Sequence, residues 1–577
     1  MLAAERLRRP AMPAIRLGLQ GRLRLGEAHV IFLAAAAVYL AVGAYLVFAA
    51  GSVPVDTWAR VGNAHYAIFS RDPHLGAIGF VLSPLPTLAI MPLVPLKLLW
   101  PALVTDAFAA NITTALFMAG GAVVLRGLLA DIGVGRLARL ALVALFALHP
   151  MIVYYGANGL TEAPFVFTLL LTTRFLVRWL SDGSLASLAG VGLSLALAYL
   201  TRYEAAVAAV GAIGLIGIVS FYRARTRRRP DRPRPSMSAL ADVLIAAVPF
   251  AVVFWAWALA SWLIVGSLFP HFTSEYGNSS QVATLRPFVE EQTGQGSAAA
   301  VPYVVAQLMG LQPMFLALAA LAMGLSLLRR DVRVLGPLAL MGPVLAFSVV
   351  GFLAGVTVGF LRYHVAIVPL AICLAGFCLA RVDRPALPNA ARSRIRALVG
   401  STPARRLAHA AIAVAVLPLA AVAIPSAYAT IQHPLLAREE ADQLKPALGD
   451  GSGPASFITT MHLQTRTIAA DLDARNLGEG DVLVDVAVGN PIVLQSRHPR
   501  QFLITTDRDF KQAVADPVVF GVRYVLVISP EGLGAIDAIN RARPGFYDTG
   551  EGLGRLIETY GPGGMGTWRL YELDVPE

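Results

Sequence analysis

Apolar residues fall along this chain in blocks near twenty long, separated by short polar or basic stretches, up to about residue 430. A helix of that length rises far enough to cross ~30 Å of hydrocarbon. The blocks that read as spans are 29–50, 105–125, 138–157, 164–180, 185–200, 203–222, 239–266, 311–328, 334–353, 364–380 and 407–430. Residues 78–104 are as apolar but hold Pro84, Pro86, Pro92, Pro95 and Pro101. Prolines remove helical hydrogen bonds, and lipid offers the freed carbonyls nothing in exchange. This stretch is therefore expected to be interfacial or re-entrant, as part of a first external loop over 51–104.

Past residue 431 the pattern changes. DVLVDVAV (481–488), QFLITT (501–506), YVLVIS (524–529) and WRLYEL (568–573) read as buried strands, while 438–448, 509–516 and 531–543 have helical character. The expectation is an α-helical polytopic membrane protein of about eleven transmembrane helices with a small C-terminal α/β soluble domain over 431–577. The external loop 267–303, with Tyr276, Glu290 and Glu291, has the length of a lid or a connector.

Composition supports this division. Apolar residues make up 56% of the chain and charged residues only 14%, where soluble domains carry about a quarter. A soluble multi-domain protein is excluded. The formal charge of +11 would point to nucleic acid in a soluble protein. Here the positions of the bases explain it. With the basic N-terminus 1–28 in the cytoplasm, the cytoplasmic segments hold 28 basic residues, against six in the external loops: Arg60, Arg71, Lys97, Arg202, Arg286 and Arg362. That asymmetry orients a multi-pass protein of the cell membrane with its C-terminal domain outside the cytoplasm, and no nucleic-acid partner is expected. No small-residue cleavage site follows the first apolar block, which reads as a signal anchor. The excess of Arg over Lys, with abundant Ala, fits the GC-rich codon usage of a bacterium. Cys373 and Cys378 share one apolar block and read as packing residues rather than a disulfide or metal framework.

The chain has no Walker loop, HExxH or GxSxG. Its notable polar residues cluster at the external ends of spans, where an ionisable group facing a cavity is a functional candidate. Asp56 stands just beyond the first span, ahead of Trp58, His65 and Tyr66; it reads either as a helix cap or as a reactive acid. Asp72 before Pro73 suits a turn, and His74 follows. HPMIVYYGANGLTEAPF carries Tyr155 and Glu162, the latter at a helix start. LAYLTRYEAA carries Arg202 and Glu204, which could simply pair and tie a hairpin. FLRYHVAIVPLA carries Arg362, Tyr363 and His364. Arginine suits phosphate because its planar fork stays charged and donates two parallel hydrogen bonds.

These four pieces, in this order and on one side of the membrane, resemble the GT-C-fold glycosyltransferases that use polyprenyl-phosphate sugars, in the protein-mannosyltransferase and aminoarabinose-transferase branch. The resemblance covers roughly residues 29–430, including the proline-rich SPLPTLAIMPL after Asp56. Relatives often show two adjacent acids in the first loop. Here Thr57 follows Asp56, which leaves a second acid open between Asp72 and Glu162.

The resemblance implies that Asp56 deprotonates an acceptor hydroxyl while Arg202 and Arg362, with Tyr363, hold the donor phosphate. Glu162, Tyr155, Asp72 and His74 are the candidates for the acceptor side or the second acid. The implied partners are a polyprenyl-phosphate sugar donor, a glycan, lipid or protein acceptor, and the bilayer. No particular cofactor is implied, and a divalent metal is left open. The rival expectation is a transporter or flippase of a lipid-linked or polar substrate. Such proteins usually show internal repeats and ionisable groups near the bilayer midplane, and this chain shows neither.

Overall fold

The computed structural model describes residues 26–226, 234–293, 297–380, 402–449, 456–563 and 565–574. The basic N-terminus up to residue 25 and the greater part of the basic runs at 223–235 and 381–406 lie outside them.

Helices dominate up to residue 431. Among the described residues, eight are long and apolar enough to cross a membrane: Glu27–Ala49, Phe108–Asp131, Glu162–Asp182, Ala205–Thr226, Pro235–Val265, Val332–Leu353, Leu361–Leu379 and Ala410–Ile431. Two bent helix pairs have the length and apolarity of one further crossing each. Arg136–Ala147 with Pro150–Ala157 turns through 59°, and Ala300–Leu311 with Phe315–Arg329 through 68°. A proline stands at each break, Pro150 at the start of the second helix and Pro313 within the gap; proline lacks an N–H and forces the preceding residue out of the helical region. The remaining expected span is the helix Leu185–Thr201, which is 17 residues long. Every apolar block read as a span is thus helical, and the straight and bent crossings number eight to ten.

Residues 78–104 form no straight crossing. They fold as a short helix Pro84–Ile90, a 3-10 turn Met91–Leu98 and one turn at Ala102–Thr105. Ser83 donates to the Thr201 carbonyl at 2.5 Å, which ties the stretch to the end of the helix Leu185–Thr201. The loop expected over 267–303 is largely helical where described, with Pro270–Thr273 and Asn278–Thr293.

The C-terminal sheet has five strands: β1 (Val482–Val484), β2 (Phe502–Ile504), β3 (Tyr524–Ile528), β4 (Gly554–Gly563) and β5 (Gly566–Leu573), in the order β2-β1-β3-β5-β4. The first three are parallel, with Leu483 opposite Leu503 and Val525; β5 runs antiparallel to both β3 and β4. Two expectations shift. DVLVDVAV is strand only through Val484, because the Asp485 carboxylate accepts from the Ala487 N–H at 2.8 Å and starts the helix Val486–Gln495. The edge strand β4 is mostly solvent-facing, so it lacks the apolar signal of the others.

The sheet does not pack alone. Trp58, Val61, Tyr66 and Ala110 share one core with Val484, Ile504, Leu526 and Trp568. The helix Val55–Phe69 is clamped further by Tyr66 donating to Asn490 at 2.8 Å, and Arg71 pairs with Asp507 at 3.1 Å and Asp509 at 2.5 Å. The helix Arg438–Leu448, expected with the soluble domain, lies against the membrane helices instead. Ala437 and Leu444 join the core of the bundle, and Ser52 donates to the Gln443 carbonyl at 2.5 Å.

Candidate active site

The first span ends at a turn with Gly51 at φ +62°, after which Pro54 starts the helix Val55–Phe69. Asp56 therefore sits in the first helical turn, one residue inside the start, and makes no capping hydrogen bond. The facing turn is Asn158-Gly159. Thr57 donates to the Asn158 carbonyl at 2.9 Å, and Gly159 has φ +84° with Thr57 Cγ2 only 2.5 Å from where a Cβ would stand. Only glycine fits that close approach, and it sets Glu162 at the head of the next span.

Three guanidinium groups and five carboxylates meet here. Arg362 Nη1 contacts Asp56 Oδ2 at 3.1 Å and Glu439 Oε1 at 3.2 Å. Arg202 pairs with Glu162 through Nη1 and with Glu204 at 2.8 Å. Arg60 is buried and donates to the Ser83 carbonyl at 3.3 Å. Tyr363 lies between the two outer arginines, 5.5 Å from the Arg202 guanidinium carbon and 5.9 Å from that of Arg362. Across from them Tyr155 donates to Glu440 at 2.5 Å and Tyr154 donates to Gln443.

Charge assigns states to these acids. Burial raises the Asp56 carboxyl, but Arg362 and Arg60 outweigh it and hold it below its ordinary value. Burial likewise raises Glu204, and Arg202 overrides it. On the helix Arg438–Leu448 burial wins: the Glu440 carboxyl is pushed up, as is that of Glu439. One acid pushed down beside others pushed up is the separation expected where proton transfer occurs. The Asp56 side chain is 44% exposed, so the ionised acid is open to an incoming group.

From the arginines a cavity of 330 Å³ extends between membrane helices. Arg202, Glu204, Arg362 and Tyr363 form its polar end, and Val207, Val344 and Phe347 are among its apolar walls. A ligand with an anionic head and a hydrocarbon tail matches that polarity.

The structure brings Asp56, Arg202, Arg362, Tyr363, Glu162 and Tyr155 together. Asp72 and His74 stand elsewhere: Asp72 pairs with Arg508 at 3.2 Å, and His74 Nδ1 lies 2.8 Å from the Asp72 carbonyl. The contact between Arg202 and Glu204 expected of a hairpin tie is present, and Glu162 shares the same guanidinium. Arg60, Glu439 and Glu440 were not anticipated. Among the described residues no group of three or more His, Cys, Asp or Glu could hold a metal ion.

Residues 102–257 match the family described as dolichyl-phosphate-mannose-protein mannosyltransferase. No curated protein matches the chain. Among solved structures, the chain is similar to ArnT from Cupriavidus metallidurans bound to undecaprenyl phosphate. Identity is 13%, with 94% of this chain and 97% of that one covered and a TM-score of 0.54. Two structures of the Archaeoglobus fulgidus oligosaccharyltransferase are also similar, one of them AglB with an inhibitory peptide and a dolichol-phosphate. They are 11% and 12% identical, cover 94% of this chain and 75% and 74% of theirs, and have TM-scores of 0.39 and 0.40. The family match covers residues 102–257 alone, and over nearly its whole length the chain shares the fold of ArnT.

Proposed function

We propose that the protein moves a sugar from a polyprenyl-phosphate donor to an acceptor hydroxyl, with inversion at the anomeric carbon, on the extracytoplasmic face. The observation that carries this reading is the ionised Asp56 held against Arg362, which with Arg202 lines a largely apolar cavity. The lipid tail of the donor lies along the cavity and its phosphate meets Arg202 and Arg362. The acceptor oxygen attacks the anomeric carbon, its proton passes to Asp56, and the sugar–phosphate bond breaks with the electron pair leaving on the phosphate. Phosphate leaves readily, so no general acid is needed. The arginines stabilise charge that grows on the leaving oxygen in a site shielded from water. Phosphate also draws Arg362 away from Asp56, which makes that carboxylate a better base when the donor is in place. Glu162 and Tyr155 line the acceptor side.

The direct test is purified protein with a panel of polyprenyl-phosphate sugars. Transfer to an acceptor from one of them supports the reading; translocation of the lipid without transfer would replace it with the transport reading.

The face is tested separately. In intact cells, Pro230→Cys and Ile395→Cys should be shielded from a membrane-impermeant thiol reagent, while Ser279→Cys and Lys511→Cys should be labelled. Native Cys373 and Cys378 are buried and add little background. Labelling at 230 would invert the orientation.

A further inference from the structure

The site holds more acid than its proposed ligand tolerates. Asp56, Glu162, Glu204, Glu439 and Glu440 stand against Arg60, Arg202 and Arg362, and a phosphate entering from the cavity adds negative charge. Both arginines at the cavity are already engaged. Arg202 is taken by Glu162 and Glu204, and a single nitrogen of Arg362 is shared by Asp56 and Glu439. One of these carboxylates must therefore withdraw or lose its charge before phosphate binds well.

Glu439 is the one placed to do so. Glu162 is fully buried at the head of a span, and Glu204 is held on the same turn as Arg202. Asp56 has to stay ionised to act as base. Glu439 sits on the helix Arg438–Leu448, after the last span rather than within one. Its second oxygen, Oε2, is buried without a hydrogen-bond partner, and Gln443 donates to Oε1 at 3.3 Å.

We propose that Glu439 sets the affinity for the donor: its carboxylate competes with phosphate for Arg362, and the donor binds the form in which Glu439 is neutral or withdrawn. The inference rests on the cavity being the donor site. Around Glu439 stand Asp56 and Arg362 on the arginine side, Glu162 and Tyr155 across the site, and Glu440 on its own helix. Burial raises the Glu439 carboxyl, Arg362 opposes the rise, and Glu440, Asp56 and Glu162 add to it, leaving it at about 8. Below that pH the group is neutral and Arg362 is available. Above it Glu439 ionises and holds the guanidinium. A donor that binds only the neutral form loses about tenfold in apparent affinity between pH 7 and pH 9.

The experiment measures binding of undecaprenyl phosphate to the full-length protein in nanodiscs at pH 7 and pH 9. The parent should weaken about tenfold across this interval. Glu439→Gln should bind about tenfold more tightly than the parent at pH 9 and keep its affinity from pH 7. Titration of the ligand is common to both proteins and cancels in the comparison. A Gln variant that binds no more tightly than the parent at pH 9 overturns the proposal. Should Gln prevent folding, Glu439→Asp carries the test, since it draws the charge back by one methylene and should also bind more tightly at pH 9; equal or weaker binding overturns the proposal. A parent that fails to bind the probe at either pH would sink the donor-site reading itself, and this inference with it.

Discussion

Asp56→Asn is expected to fold, bind the donor and transfer sugar ~100-fold or more slowly than the parent, the usual loss on removing a general base. Asn keeps the size of the side chain and an oxygen for Arg362 Nη1, now 3.1 Å from Asp56 Oδ2. What it loses is the capacity to take a proton. The structure has Pro54, not Asp56, at the cap, so a helix-start defect is not expected to confuse the result. Donor binding and transfer should be measured on one purified sample. Activity close to that of the parent would remove Asp56 as the base and pass the role to Glu162. The pH profile gives a second check. Because Arg362 and Arg60 depress the Asp56 carboxyl against its burial, the base is present above its lowered pKa and is lost only as pH falls through it. The acid limb of kcat/KM should thus lie below the ordinary aspartate range, and Asp56→Asn should abolish it.

The second large effect is on the arginines. Arg362→Ala should weaken donor binding by ~2 kcal/mol or more, since it deletes charge-assisted hydrogen bonds to phosphate. Arg362→Lys should recover only part of this, because a point charge cannot reproduce the planar fork. Arg202→Ala carries a further cost. It strands Glu162, which is fully buried, and breaking a buried pair costs ~3–5 kcal/mol of stability. Arg202→Ala combined with Glu162→Gln separates the two effects. Folding stability should return in part, measured by thermal unfolding, while donor affinity stays low. Donor affinity that returned with stability would assign Arg202 to the fold rather than to phosphate.

Much of the site was legible because polar residues stand out against an apolar chain. Asp56 is the first acid beyond the first span, and Arg202 and Arg362 are rare bases in the loops expected to be external. Glu162 and Tyr155 were marked by the same contrast. The choice between Asp72 and Glu162 was not open to reasoning along the chain. Both follow a span and precede or adjoin a proline, and only packing shows Asp72 turned to Arg508 and Glu162 to Arg202. Glu439 and Glu440 were hidden for a different reason. REEADQLKPAL has the amphipathic spacing of an ordinary soluble helix, and its adjacent acids are normal in a first helical turn. The one local hint was two acids soon after the last span. Their partners, Tyr155 for Glu440 and Arg362 for Glu439, lie far back in the chain.

The helical spans, the expected side of each loop and the strands β1, β2, β3 and β5 were legible in the sequence alone. Those features depend on local hydrophobic spacing and on charge counts, which the bilayer thickness and the burial of strands translate directly into structure. Tertiary structure alone decided which acids face which arginines, and that the helix after the last span belongs to the membrane site. Asp56 and Arg362 are 306 positions apart, and Tyr155 and Glu440 are 285 apart. Contacts of that range follow from how the helices pack, through turns such as Asn158-Gly159, and the spacing of residues within any single segment carries no record of them.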